Sequence, residues 1–177
     1  MEHPTATTVV LVGDDAGAAL GQLDGFANVR SASLAGRTDE EVTAWTASSS
    51  TPYVLHDHDP LQHVASAWAE FYDDLATLGV LELEIERTVD ALDREAIAIP
   101  DYYVVLDPYA LAPTVRHWWL GVIASASPMR VIPWGSEADA SLAGLLRHLP
   151  TGRPWPEPST WLPGVVTAVP DRVGLGD

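Results

Sequence analysis

The chain predicts a three-layer α/β domain with a mostly parallel sheet of about five strands and helices on both faces, followed by an extended Pro/Trp-rich C-terminal arm. Two observations predict it. Short β-branched apolar runs alternate with stretches of helical apolar spacing, an alternation that favours a parallel sheet covered on both faces because right-handed crossovers place the helices outside. Beyond Leu149 the composition changes, with Pro150, Pro154, Pro156, Pro158, Pro163 and Pro170 interspersed with Trp155 and Trp161. The expected boundaries are therefore one domain over residues 1–149 and an arm over 150–177, packed on the domain or on a partner subunit because large aromatic surface is rarely left in water. The second arrangement would make the protein a homo-oligomer.

Taken in order, Thr8 to Val12 reads as a strand ending at Gly13-Asp14-Asp15, and Ala16 to Leu23 as a helix. Val29 to Leu34 is a weaker strand. Thr38-Asp39-Glu40-Glu41 has the form of a capping box opening a helix with Val42 and Trp45. Pro52 to Leu55 is a third strand. Leu61, Val64, Ala65, Trp68, Phe71, Tyr72, Leu75 and Leu78 share one helical face, with Gly79 as the expected stop. Leu81 to Leu92 fits either period, and the helical one is preferred. Tyr102 to Leu106 and Met129 to Trp134 are the remaining strands, separated by a nearly all-apolar helix over Val115 to Ser125. Ser136 to Asp139 reads as the capping start of a helix bearing Leu142, Leu145 and Leu146, with Arg147 and His148 near its negative end.

Charge and composition exclude several chemistries. Twenty-five acidic residues face nine basic ones, a formal charge of -16, and every base is Arg. Without Lys there is no Schiff-base amine and no phosphate-loop lysine. A strongly acidic surface repels nucleic-acid backbone and anionic lipid, so neither nucleic acid nor membrane is an expected partner. The chain has no Cys, which leaves His, Asp, Glu and backbone oxygen as candidate metal ligands. Met1 to Thr8 lacks the basic and apolar regions of a leader, and the densest apolar segment, Trp118 to Ala126, is too short to span a bilayer; a cytoplasmic location is expected.

In a parallel sheet, ligands bind beyond the carboxyl ends of the strands, so residues just after each strand are the functional candidates. His56-Asp57-His58-Asp59 closes the third strand, with His63 soon after it. Imidazole and carboxylate suit a divalent metal such as Mg, Mn or Zn. Asp14 and Asp15 after the first strand would join them if the two strands are neighbours. The candidate metal ligands are thus Asp14, Asp15, His56, Asp57 and His58. The competing reading makes Asp59-Pro60-Leu61-Gln62 an ordinary helix start, with Asp59 as its cap. Arg116 and His117, early in the Trp-rich helix, are candidate ligand-binding residues that could grip an anion at the same edge. Glycine spacing fits no dinucleotide fingerprint, and no serine lies in a nucleophile elbow.

An Asp pair after the first strand, with Asp57 after the third, resembles a response-regulator receiver domain. That resemblance implies Mg2+ binding by the acidic cluster and phosphorylation of Asp57, although the family's lysine is absent. Tyr53 to Asp59 also resembles the strand-then-Asp-x-Asp motif of nucleotide-sugar glycosyltransferases, which implies Mn2+ held against a diphosphate. The function expected from these residues is a divalent-metal-dependent pocket for a small polar or phosphorylated ligand at the carboxyl edge of the sheet. The alternative is a non-catalytic regulatory or protein-interaction module, a degenerate receiver without metal.

Overall fold

The computed structural model describes residues 6–135 and 141–170. Its five strands are β1 (Thr7–Val12), β2 (Val29–Ala32), β3 (Tyr53–His56), β4 (Tyr102–Leu106) and β5 (Val131–Trp134). They form one all-parallel sheet in the order β2-β3-β1-β4-β5. The helices are α1 (Ala16–Gly21), α2 (Asp39–Ala47), α3 (Gln62–Tyr72), α4 (Leu78–Asp93), α5 (Pro113–His117), α6 (Ala124–Ala126), α7 (Leu142–Leu146) and α8 (Pro158–Trp161). The expected three-layer architecture is present.

Both faces of the sheet are apolar because β1 from Val9 onward and all of β4 carry aliphatic or aromatic side chains. Val9 and Leu11 of β1, with Tyr102, Val104 and Leu106 of β4, pack under α1 and α7. Val10, Val12, Tyr103 and Val105 point the other way, under α3, α4 and the Trp118–Ile123 segment. Such two-sided burial is what makes these strands read as continuous apolar runs. The order also separates this fold from the receiver order 2-1-3-4-5, since β3 lies between β1 and β2.

Several elements differ from their expected limits. The helix after β3 ends at Tyr72, Asp74 adopts a left-handed φ of 59°, and a second helix starts at Leu78, so Gly79 lies inside α4 and stops nothing. The apolar spacing that suggested one helix runs into Leu75, which is 77% exposed. The Trp-rich helix is α-helical only over α5 and α6; Trp118–Ile123 between them forms wider π turns that bury Trp118, Trp119, Val122 and Ile123. The capping start expected over Ser136 to Asp139 lies outside the described residues, and Ser141 caps α7 by accepting the Gly144 N–H. Among the described residues no helix is long and apolar enough to cross a membrane.

The arm packs on its own domain. Residues 150–157 have no regular structure, but α8 begins with Pro158 at its first position and leads into a 3-10 segment, Leu162–Thr167. Leu162 and Val165 are buried in the core cluster of α3 and α4. Indole N–H groups fasten both ends: Trp68 donates to the Val165 carbonyl at 3.0 Å and Trp155 to the Pro100 carbonyl at 2.7 Å.

Gly121 is a packing requirement of the π segment. The His117 imidazole stacks on Trp68 (6.0 Å between centroids, 12° between planes), and a Cβ on Gly121 would come within 2.7 Å of that ring. Gly121→Ala must therefore push His117 off the indole. It is expected to lower stability by about 1–3 kcal/mol, the usual cost of overpacking, and His117→Ala should recover most of the loss. Urea unfolding of the two single variants and the double variant measures this coupling.

Candidate functional site

β1 and β3 are adjacent and parallel, with Val10 beside His56. The residues after the strands nevertheless separate into three groups. Asp14 and Asp15 are exposed and line a cleft of about 640 Å³ with Leu106, Asp107, Tyr109, Leu111 and Pro133, at the carboxyl ends of β1, β4 and β5. The chain leaves β1 towards α1 on one face and leaves β4 towards α5 on the other, so this cleft is a topological switch point of the sheet. Asp107 holds a left-handed backbone there, with φ of 39°.

Asp57 belongs to a second group. Its Oδ1 accepts the backbone N–H groups of Leu34 (2.6 Å) and Ala35 (3.0 Å), and its Oδ2 accepts the Ser33 hydroxyl at 2.6 Å. It clamps the loop between β2 and α2 to the end of β3. Gly17 in α1 stands beside it, a Cβ there lying 3.8 Å from Oδ2. Among the described residues no three His, Asp or Glu side chains are grouped so as to hold a metal ion.

The third group is a cavity of about 250 Å³ on the α2 side of the sheet. It lies between α2 and residues 97–101, with Thr8 and Val10 of β1 among the residues that line it. His56 and His58 line it and are 4% and 5% exposed. His58 Nε2 is 2.8 Å from Asp39 Oδ1 on the first turn of α2. The His58 backbone N–H donates to His56 Nδ1 at 3.3 Å, which places the neutral ring's proton on Nε2. Trp45 closes the other side of His56 with its ring set edge-on at 6.2 Å. Burial, then the neighbouring His58, push His56 down from 6.5 to about 4, so the imidazole is uncharged at neutral pH.

Asp59, between the cavity-lining His58 and Pro60, is itself buried. Its Oδ1 accepts the Leu61 N–H at 2.9 Å, as a helix-start cap does, and the Tyr103 hydroxyl at 2.9 Å. Burial raises its carboxyl from 3.8 to about 6 in spite of both hydrogen bonds, and burial likewise holds the Tyr103 hydroxyl well above its usual range. His63 is exposed on α3. Arg116 and His117 diverge: the Arg116 guanidinium lies 5.5 Å from the Tyr109 ring at the rim of the cleft, while His117 stacks inward on Trp68.

Sequence reasoning missed Asp39 as the partner of His58 and Tyr103 as the partner of Asp59. Asp39 carried the stronger signal of a capping turn. Tyr103 carried only the signal of a buried strand. No protein-family model, no curated protein and no solved structure matches the chain.

Two predictions follow from these bonds. In metal-free buffer with a chelator present, Asp57→Ala leaves two backbone N–H groups and a hydroxyl without their acceptor. It should cost about 2–4 kcal/mol in urea unfolding, because each stranded donor costs roughly 1–3 kcal/mol in proportion to its burial. A residue needed only to ligate a metal would cost nothing under those conditions.

The second concerns pH. Asp59 binds its proton more tightly folded than unfolded, so its contribution makes stability fall as pH rises from 3.8 to about 6. His56 does the reverse, and its contribution is lost as pH falls from 6.5 to about 4. Each is on the order of 3 kcal/mol, and over the shared window they oppose one another. Acidification from pH 6.5 to 4 should therefore destabilise Asp59→Asn more than the parent and His56→Gln less. Denaturant midpoints of the three proteins at both pH values test this.

Proposed function

We propose that the protein binds a small organic molecule in the cavity between α2 and residues 97–101, with His56 and His58 as the polar groups that orient it. The observation that carries this reading is a buried, uncharged imidazole lining a concave space whose other walls are largely apolar, including Val10, Val42, Ile97, Ile99 and Pro100. Ligand sites are usually such places: apolar walls, a few convergent polar groups and a titratable group displaced from its ordinary range. At about 250 Å³ the space is slightly smaller than that of a drug-sized ligand, which points to a single ring or a comparably short chain.

A second reading keeps the carboxyl-edge cleft as a site for a phosphorylated ligand drawn by a divalent metal. Asp14, Asp15 and Asp107 line that cleft at a switch point, and Mg2+ commonly takes only one or two carboxylates together with waters and the ligand's own phosphate.

Thermal melts against a library of single-ring compounds, and against Mg2+, Mn2+ and Zn2+ with and without phosphate, separate the two. A ligand at 100 times its dissociation constant stabilises the folded state by about 2.7 kcal/mol. Single-ring compounds should raise the melting temperature, and Thr46→Phe, which fills the cavity from α2, should abolish the rise without unfolding the protein. A rise that needs metal plus phosphate and disappears in Asp14→Asn would move the function to the cleft.

A further inference from the structure

Resting on the cavity reading, we infer that the ligand is uncharged and presents an amide-type edge, a hydrogen-bond acceptor beside a donor, on an apolar ring. The acceptor meets the Nε2–H of His56 and the donor meets the carboxylate of Asp39. The donor in the wall is fixed by the local hydrogen bonds. His56 Nδ1 is engaged by the His58 N–H, so the ring's proton sits on Nε2; the buried side-chain nitrogen left without a partner among the described residues is Trp118 Nε1, so His56 Nε2 keeps access to the cavity it lines. His56 is 4% exposed and lines the cavity, so its Nε2–H is offered to what occupies that space, water or a ligand acceptor. The acceptor in the wall is the Asp39 carboxylate, of which Oδ1 is taken by His58 Nε2 and Oδ2 remains.

Charge decides between ligand classes. The lining contains two carboxylates, Asp39 and Asp101, and no Arg, so an anion would enter against like charge and without a cation to pair with. A cation would gain from Asp39, but that side chain is 46% exposed and its attraction is screened, while the ammonium would set its own donors against the His56 N–H. A neutral carboxamide or lactam edge satisfies both groups and costs the least to desolvate. Val42, Ile97 and Ile99 take the ring.

Four probes of one size test this on the unmodified protein: benzamide with acceptor and donor, acetophenone with the acceptor only, benzylammonium as cation and benzoate as anion. Titrations followed by the NMR signals of the His56 ring and the Val42 methyls should show benzamide binding about tenfold more tightly than acetophenone, the ratio one hydrogen bond supplies. Benzylammonium should be at least as weak as acetophenone and benzoate the weakest. His56→Phe should reduce benzamide binding about tenfold and should not weaken benzylammonium, whose donors no longer face the His56 N–H. Benzylammonium or benzoate binding as tightly as benzamide overturns the amide-edge inference and leaves the cavity as a site. If none of the four moves those signals at millimolar concentration, both the inference and the cavity reading fall.

Discussion

The structure depends on the burial of potentially charged residues at the end of β3. His56, His58 and Asp59 are each more than nine-tenths buried, and a polar side chain taken out of water must be given partners inside the protein. Those partners come from different elements. His58 reaches Asp39 on α2, and Asp59 reaches the start of α3 and Tyr103 on β4. The less buried Asp57 between them holds the loop after β2. The side chains after one short strand thus tie it to the elements on both sides. His56 differs, because one of its two nitrogens is satisfied within the run and the other lines open space.

The strand order explains why these groups do not meet the acids after β1. In the order β2-β3-β1-β4-β5 the first strand is central, and the chain leaves it on the face opposite to the exits of β3 and β4. Side chains that follow β1 therefore turn towards β4 and the cleft, while Asp57 and His58 after β3 turn towards the loop before α2 and α2 itself. Adjacency of two parallel strands fixes the spacing of their backbones. It leaves open which way the following loops turn, and that turn determines which side chains share a site.

How much was legible in the residues follows the same division. Short apolar runs identified the central strands β1, β3 and β4, and Thr38 with Glu41 marked the start of α2 by a bond each makes to the other's backbone. Features set by tertiary packing were not legible. Leu75 continues the apolar spacing of α3, yet the helix has already ended and the side chain points into water. The π turns over Trp118–Ile123 follow directly on His117, which lies flat against Trp68, a contact between helices distant in the chain. In the arm, a high proline count suggested the absence of regular structure, although Pro158 occupies the one helical position where proline is favourable. The site was half legible: the histidines were identifiable as chemistry-bearing residues, but their partners Asp39 and Tyr103 looked like ordinary members of a helix start and a strand.

A metal centre and an organic-ligand pocket place opposite demands on a histidine pair. A metal requires both imidazoles to direct a lone pair at one point, with their outer N–H groups held by acceptors. Here the lone pair on His56 Nδ1 is used by a backbone N–H, and the nitrogen of His58 nearest a carboxylate is Nε2. The two rings are joined through the backbone between them and present one donor to the cavity. That polarity favours a ligand that brings its own acceptor, and the apolar walls around it favour a ligand that brings a ring. The hydrogen bonds that let the histidines be buried therefore also set the polarity of the cavity wall beside them.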